Sequence, residues 1–386
     1  MRIVYLIARS DSIGGYHIHV RDLATVMKER GHEPVVVMGG DGPFVDDLVE
    51  RGIPYYSVRN LIREVRPWKD AAAFAEIRGI LKNIQPDLVS THGAKSGSLG
   101  RAVSWSLNIP VITTAHGWSF TTGVPAASAR LYRWGEWITM ACAARVITVS
   151  EYDRQLALRY RVARPEQLIT VHNGMRDISP ELISRPEQSP PRIVMIARFE
   201  PQKDYTTLLR ALARLRDSAW KLELIGDGPL RPEMEALSAQ LGIGDRVQFL
   251  GARRDVAERL AQAQLFVLSS NWEGFPRTIL EAMRAGLPTI ASDVGGVRES
   301  VVDGGTGFVV RQGDVDHLES RLGTLIDDAQ LRATMGEAAR ARFEEHFTFE
   351  QMLERTVAVY RNVIDLDQDP GGADELAAAA SFPTSS

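Results

Sequence analysis

The sequence predicts an α/β protein built from two doubly wound parallel-sheet halves, and three observations carry that expectation. Its 386 residues suffice for two domains at roughly 150 residues each. Short β-rich runs alternate with amphipathic helical patterns in both halves, which implies parallel strands joined by right-handed crossovers. Between the halves, DISPELISRPEQSPP at 177–191 places four prolines in a stretch without apolar periodicity, the mark of a linker over 179–191.

The elements follow in order. Ile3–Ile7 reads as the first strand, and a loop from Ser10 to Gly15 leads into a helix. On that helix Val20, Leu23, Ala24 and Met27 share one face at i, i+3, i+4, i+7 spacing. Gly31 closes it, and Pro34–Met38 is the next strand. Leu88–Ser90, Val111–Thr114 and Val146–Val149 complete the strands expected in a first domain spanning 1–178. A second domain, 192–346, repeats the alternation. It begins with strand Arg192–Ala197, helix Tyr205–Leu215, strand Lys221–Ile225 and helix Leu230–Leu241. Strands Val247–Leu250 and Leu265–Leu268, helix Arg277–Ala285 and strand Thr289–Ala291 follow. A helix over 347–364 is expected to cross back to the first domain. The remainder, 365–386, is acidic and then Ala-rich, and reads as a disordered tail.

Composition narrows the class. No apolar stretch approaches the ~18 residues of a membrane span. The N-terminus has one Arg before a five-residue apolar run, too short for a signal-peptide core. Cys142 is the only cysteine, which excludes a disulfide framework and a thiol metal site and points to the cytoplasm. The net charge of −4 is uneven: residues 1–180 carry 22 Lys+Arg against 17 Asp+Glu, so the excess acid lies in the remainder. A basic half suggests an anionic ligand or surface. Two doubly wound units in series place a ligand at the carboxyl ends of both sheets, in an interdomain cleft.

The most informative string is SSNWEGFPRTILEAM at 269–283. Glu273 lies in a loop just after a buried strand, and Glu281 falls just over one turn into the next helix. Gly274 permits close backbone approach, and Pro276 stands just before the first helical turn. Free amides at Arg277, Thr278 and Ile279 would meet a diphosphate at the helix start, where the dipole favours negative charge. A carboxylate before that helix suits sugar hydroxyls, and one inside it suits a ribose diol. The bland alternative is a solvated loop with a glutamate favouring the dipole.

The chain resembles the family 4 retaining glycosyltransferases of the GT-B fold from Met1 to about Ile364. The resemblance rests on that string together with IGGYHIHVRDLA at 13–24, PDLVSTHGAKSGSLGR at 86–101, TAHGWSF at 114–120 and VSEYDR at 149–154. VHNGM at 171–175, IARFEPQKDYTTLL at 196–209, IGDGPLR at 225–231 and ASDVGGVRESVVDGGTGFVV at 291–310 extend it. It implies that Gly14 and Gly15 pass close to the donor phosphates and that His116 hydrogen-bonds the donor sugar from the facing domain. It implies that Arg198 and Lys203, exposed at the cleft edge, neutralise the departing diphosphate. Glu273, helped by backbone at Gly274 and Phe275, would hold the sugar, and Glu281 the ribose. Gly226 would shape the loop near the nucleobase, with Arg253 beside the base. Tyr16 and Lys95 would fall on the acceptor side.

The resemblance further implies a nucleotide-diphosphate sugar donor, UDP-linked as is commonest in the family, and a glycan or lipid-linked acceptor. It implies no cofactor and no metal, since the chain has no HExxH and no clustered His/Asp ligand set. Gln264 replaces the family's usual acidic residue before strand 265–268, a structural change. Gly93 stands where many relatives have Ser, leaving the acceptor open. Two other classes share the fold: a sugar-nucleotide epimerase and a non-catalytic nucleotide-sugar-binding protein. Neither of the first βα turns of the two halves carries GxGxxG, which removes a nicotinamide dehydrogenase.

One segment suggests a further partner. In RNLIREVRPW at 59–68, Arg59, Arg63 and Arg66 interleave with Leu61, Ile62, Val65 and Trp68, a composition suited to an anionic membrane surface, which the resemblance implies would be the inner leaflet. A second cluster, Arg130, Tyr132, Arg133, Trp134 and Trp137, reads as part of a core helix.

Overall fold

The structure is a computed structural model, and it describes residues 1–368 except 12, 63, 122, 123 and 125. In the N-terminal half the strands are β1 (Arg2–Ile7), β2 (Glu33–Gly39), β3 (Tyr55–Val58), β4 (Leu88–His92), β5 (Val111–Ala115), β6 (Arg145–Thr148) and β7 (Leu168–Thr170). They form one parallel sheet in the order β3-β2-β1-β4-β5-β6-β7. The helices α1 (Gly15–Glu29), α2 (Phe44–Glu50), α3 (Pro67–Ile84), α4 (Ala94–Ser106), α5 (Ala126–Met140) and α6 (Glu151–Arg159) lie between them.

The C-terminal half repeats the plan with β8 (Arg192–Ile196), β9 (Lys221–Ile225), β10 (Val247–Gly251), β11 (Leu265–Leu268), β12 (Thr289–Ser292) and β13 (Gly307–Val310), ordered β10-β9-β8-β11-β12-β13. Its helices are α7 (Tyr205–Arg214), α8 (Arg231–Gln240), α9 (Val256–Ala261), α10 (Arg277–Arg284), α11 (Val297–Ser300), α12 (Val315–Asp327) and α13 (Ala329–His346). The last helix is α14 (Phe349–Gln368). The central strands are buried on both faces, which is why they read as continuous apolar runs rather than alternating ones.

Each sheet reverses its strand order once, between β1 and β4 and between β8 and β11. Splayed loops at such a reversal open a crevice beyond the carboxyl ends of the strands. The glycine pair follows β1, His92 ends β4, Arg198 and Lys203 follow β8, and Ser269–Gly274 follows β11. The polar residues of interest therefore collect at the two crevices.

Three strands had no expectation in the sequence: β3, β7 and β13. All three are sheet edges. β3 is half solvent-exposed, β7 has three residues, and β13 starts on Gly307 at the end of a glycine-rich turn.

The proline-rich segment 179–191, expected as a linker, is strapped to the C-terminal half. Arg332, fully buried, donates to the carbonyls of Pro186 (2.7 Å) and Gln188 (2.8 Å), and the Ser184 amide donates to the Ala285 carbonyl. The C-terminal helix runs through 365–368, four residues into the stretch expected to be a tail; 369–386 lie outside the described residues. Helix α14 packs Phe349, Met352, Leu353, Val357, Tyr360 and Val363 into one core with Ile3, Tyr5, Leu23, Leu88, Ile112 and Ile147. Burial of each such large apolar side chain stabilises by roughly 1.5–3 kcal/mol, so this helix belongs physically to the first sheet. Among the described residues no helix is long and apolar enough to cross a membrane.

Candidate active site in the interdomain cleft

The floor on the C-terminal side is built by the loops after β8 and β11. Ser270 donates to Glu273 Oε1 at 2.7 Å, and Gln202 donates to Glu273 Oε2 at 3.3 Å and to the Trp272 carbonyl at 2.9 Å. Lys203 completes the arrangement with an ion pair to Glu273. The sequence reading gave Lys203 and Glu273 separate tasks and placed Lys203 in solvent. The structure corrects the second point: the Lys203 side chain is 13% exposed and Glu273 is 7% exposed, so the two form a largely desolvated pair. Arg198 does project outward, 57% exposed and paired with Glu200 at 3.1 Å.

At Gly274 the backbones of the two halves come into close contact. A Cβ at Gly274 would lie 2.9 Å from Gly117 Cα and 3.0 Å from the His116 carbonyl oxygen, both on the opposite domain. Any larger residue would hold the cleft open. Gly226 has a local reason: at φ +140° its Cβ would fall 2.0 Å from the Ala197 carbonyl, so glycine lets the ends of β8 and β9 come together. Phe275 is buried, and its carbonyl accepts from Asn173 Nδ2 at 3.1 Å.

Pro276 caps α10 with extended ψ, as its position before the first turn suggested. The amides of Arg277 and Thr278 have no acceptor among the described residues and remain available to an anion. The amide of Ile279 is not available, contrary to expectation, because it donates to the Pro276 carbonyl at 3.2 Å while its side chain sits in the core. Glu281 is half-buried, and no hydrogen bond or ion pair reaches its carboxylate among the described residues. Loss of solvation raises its pKa, opposed by the nearby Arg277 and Arg284 guanidiniums. A carboxylate left open in this way is suited to a vicinal diol. Glu281→Gln is expected to weaken donor binding by roughly 1–3 kcal/mol, and a 2′-deoxy donor should lose little more with the variant. Isothermal titration with both donors checks this; strict additivity would remove the contact.

Facing this floor, the Gly14–Gly15 turn is pinned by His17, whose Nδ1 accepts from the Gly14 amide and whose Nε2 bonds the Arg9 carbonyl at 2.9 Å. A Cβ on Gly15 would come 3.1 Å from Arg277 Cδ, so this turn lies against the start of α10. The Tyr16 ring packs on His17 and stands 6.1 Å from His116. His116 is half-buried with its ring among His19, His92 and Tyr16, and its Nε2 is 3.0 Å from His92 Nδ1. Desolvation first, then the Arg277 charge, push its pKa down to about 3, so the ring is neutral at any working pH.

The convergence of His19, His92 and His116, with nitrogens within 4.8 Å, corrects the reading that no clustered ligand set exists. Among the described residues His19 Nδ1 is buried without a partner, and His92 and His116 bond each other.

Two assigned residues are engaged elsewhere. Lys95 pairs with Asp70 and donates to the Glu64 carbonyl at 2.9 Å, tying α4 to the start of α3. Arg253 makes a bidentate pair with Asp255, both bonds 2.7 Å, on an exposed turn. Gln264 is structural, as expected: buried, it accepts from the Arg192 amide at 2.8 Å.

Sequence reasoning missed the groups that hold the cleft together. Glu299 on α11 accepts from the amides of Glu151 (2.7 Å) and Tyr152 (2.8 Å) at the start of α6, and pairs with His172 at 2.7 Å. This places a carboxylate of one half on the positive helix end of the other. The motifs VHNGM and ASDVGGVRES carried the signal without showing that they meet.

The second aromatic cluster is also corrected. Trp134 and Trp137 on α5 are not in the core; they are 62% and 60% exposed, with Leu131 and Ile138 exposed beside them. In the first cluster Leu61 is buried, whereas Val65, Trp68, Arg59 and Arg66 are exposed; Arg63 lies outside the described residues.

Two facing doubly wound domains, with free helix-start amides, a desolvated Lys–Glu pair and an open carboxylate lining the cleft between them, define a GT-B glycosyltransferase. Residues 14–174 match the Glycosyl transferase 4-like domain and residues 182–342 the Glycosyl transferases group 1 family. The chain belongs to the group 1 glycosyltransferases. It is 25% identical to the UDP-Gal:alpha-D-GlcNAc-diphosphoundecaprenol alpha-1,3-galactosyltransferase of Escherichia coli, over 84% of this chain and 87% of that one. It is 28% identical to the N-acetyl-alpha-D-glucosaminyl L-malate synthase of Bacillus anthracis, over 93% and 96%. In fold it is similar to Anabaena HepE in complex with UDP and glucose, with a TM-score of 0.80, 24% identity and coverage of 94% and 99%.

Proposed function

We propose that this enzyme is a retaining transferase that moves a hexosyl or N-acetylhexosaminyl group from a UDP-sugar to a hydroxyl of a glycan or polyprenyl-linked saccharide. The observation that carries the reading is the α10 start, where free amides at Arg277 and Thr278 directly follow the loop that holds Glu273 of the Lys203–Glu273 pair and precede the open Glu281 carboxylate on the same helix. The amides and Lys203 take the diphosphate, Glu281 the ribose, and Glu273 with the Gly274–Phe275 backbone the sugar. As the glycosidic bond breaks, negative charge grows on the phosphate and positive charge on the sugar ring. Fixed amides and cations stabilise the first without reorganisation. The acceptor hydroxyl attacks on the face the diphosphate leaves, and a phosphate oxygen takes its proton, so no side chain acts as nucleophile. The uridine choice rests on the relatives named for, or solved with, uridine nucleotides. Screening the purified protein for turnover of UDP-, GDP- and ADP-sugars tests the reading. Release of an epimerised donor, or binding without turnover of any donor, would replace it.

Activity is expected to persist in excess EDTA. The Glu273 carboxylate is already neutralised by Lys203, and the one cluster of three potential ligands among the described residues, His19, His92 and His116, contains no carboxylate. Loss of turnover restored by Mg²⁺ or Mn²⁺ would overturn this.

A membrane-borne acceptor is supported by the exposed Arg59, Val65, Arg66 and Trp68 and by the apolar stripe on α5. Each Arg near anionic lipid contributes about 1 kcal/mol. Flotation with phosphatidylglycerol vesicles is expected to recover the protein at low salt, to fail with neutral vesicles, and to weaken in the Arg59→Ser, Arg63→Ser, Arg66→Ser triple variant. Equal recovery with neutral vesicles, or none at low salt, would favour a soluble acceptor.

A further inference from the structure

A chain of polar side chains runs from the buried face of α14 to the cleft. Tyr360 Oη lies 2.9 Å from Ser90 Oγ, Ser90 Oγ lies 3.1 Å from His92 Nε2, and His92 Nδ1 lies 3.0 Å from His116 Nε2. Tyr360, Ser90 and His92 are all fully buried, and no side chain of the chain carries a formal charge at neutral pH.

Each link holds one proton, and counting donors decides which way the bonds point. A Ser90 hydroxyl that accepted from both His92 and Tyr360 would strand its own proton, because those two are its only side-chain partners among the described residues. Suppose His116 gave its Nε2 proton to His92. His92 would then donate to Ser90 and Ser90 to Tyr360, leaving the Tyr360 hydroxyl proton without an acceptor. Tyr5 is the neighbouring buried hydroxyl and gives no outlet, because a proton passed to its oxygen would strand its own. A buried donor left unpaired costs about 1–3 kcal/mol. In the opposite direction nothing is stranded: Tyr360 donates to Ser90, Ser90 to His92 Nε2, and His92 Nδ1–H to His116 Nε2. The remaining proton of His116 then sits on Nδ1.

We propose that Tyr360, Ser90 and His92 act as positioning residues that fix the tautomer of His116, so that it meets the substrate as a neutral Nδ1–H hydrogen-bond donor. The depressed pKa of the ring agrees, since it removes the imidazolium as an alternative. His116 is then neither a general base nor a cation. Its partner must be a lone pair, such as a sugar hydroxyl oxygen. The inference rests on the cleft being the place where the sugar is transferred.

Long-range ¹H–¹⁵N correlation of the imidazoles in the full chain, with His116 assigned by comparison with His116→Gln, tests the tautomer directly and without substrate. The expected result is Nδ1–H for His116, unchanged between about pH 6 and 8; Nε2–H, or titration in that range, overturns the proposal. A second arm uses Tyr360→Phe, which keeps the ring and removes the terminal donor. It should mix the His116 tautomers and lower kcat by ~10-fold or more, since a wrongly set tautomer impairs catalysis even in intact geometry. In a His116→Asn background, where the amide supplies a donor at the Nδ1 position without a tautomer, Tyr360→Phe should cost nothing further. An equal loss in both backgrounds would mark Tyr360 as merely structural and sink the idea. An absence of turnover in the unaltered enzyme would remove the transferase reading and leave the tautomer result standing.

Discussion

Lys203→Ala is expected to lower kcat by roughly 10²-fold or more and also to destabilise the fold. The first effect follows from removing a preorganised cation at the departing diphosphate. The second follows from what stays behind: Glu273, 7% exposed, keeps only Ser270 and Gln202 as partners for a full charge. Breaking a buried pair from one side costs on the order of 3 kcal/mol, mostly the penalty of the orphaned charge. The Lys203→Ala, Glu273→Gln double variant should therefore recover much of the stability and none of the turnover. Urea unfolding and donor turnover read the two effects separately. A folded single variant with near-normal kcat would remove Lys203 from the mechanism, and a double variant as unstable as the single would refute the orphaned-charge account.

Gly274→Ala is expected to reduce kcat/KM about 10²-fold with little change in the unfolding midpoint. The added methyl would stand 2.9–3.1 Å from three backbone atoms of His116 and Gly117, none of which can rotate away as a side chain could. The halves must separate by a fraction of an ångström, and misplacement on that scale suffices for such a loss. Gly323→Ala on α12 is the control: its nearest neighbour, a leucine methyl of Leu215, lies at an ordinary 3.5 Å, and that variant should behave as the unaltered enzyme. Normal kinetics in Gly274→Ala would show that the cleft closes differently in the working enzyme.

The central strands, their helices and the 269–283 string were legible because each is a local pattern: an apolar run, a 3.6-residue stripe, a glycine and a proline at a helix start. What could not be read was pairing over distance. Lys203 and Glu273 are 70 residues apart, and nothing near either of them announces that they neutralise each other. His19, His92 and His116 each sit at a plausible strand or helix end, but only the order of β1, β4 and β5 in the sheet brings them together. Helix α5 shows a different limit. Leu131, Trp134 and Ile138 make a stripe indistinguishable from a core face, because periodicity identifies the stripe and not what covers it.

The seat of α14 on the first sheet imposes an order on biosynthesis. Strands β1 to β7 leave the ribosome before α14, and the core they enclose lacks Phe349, Met352, Leu353, Val357, Tyr360 and Val363 until translation has passed Val363. At 5–20 residues per second, the whole C-terminal half is made in the intervening roughly ten to forty seconds. Through that interval the nascent N-terminal half exposes an apolar face that α14 must later cover. The C-terminal half, with its core drawn from residues within 149–347, has its full set of core side chains before α14 is made.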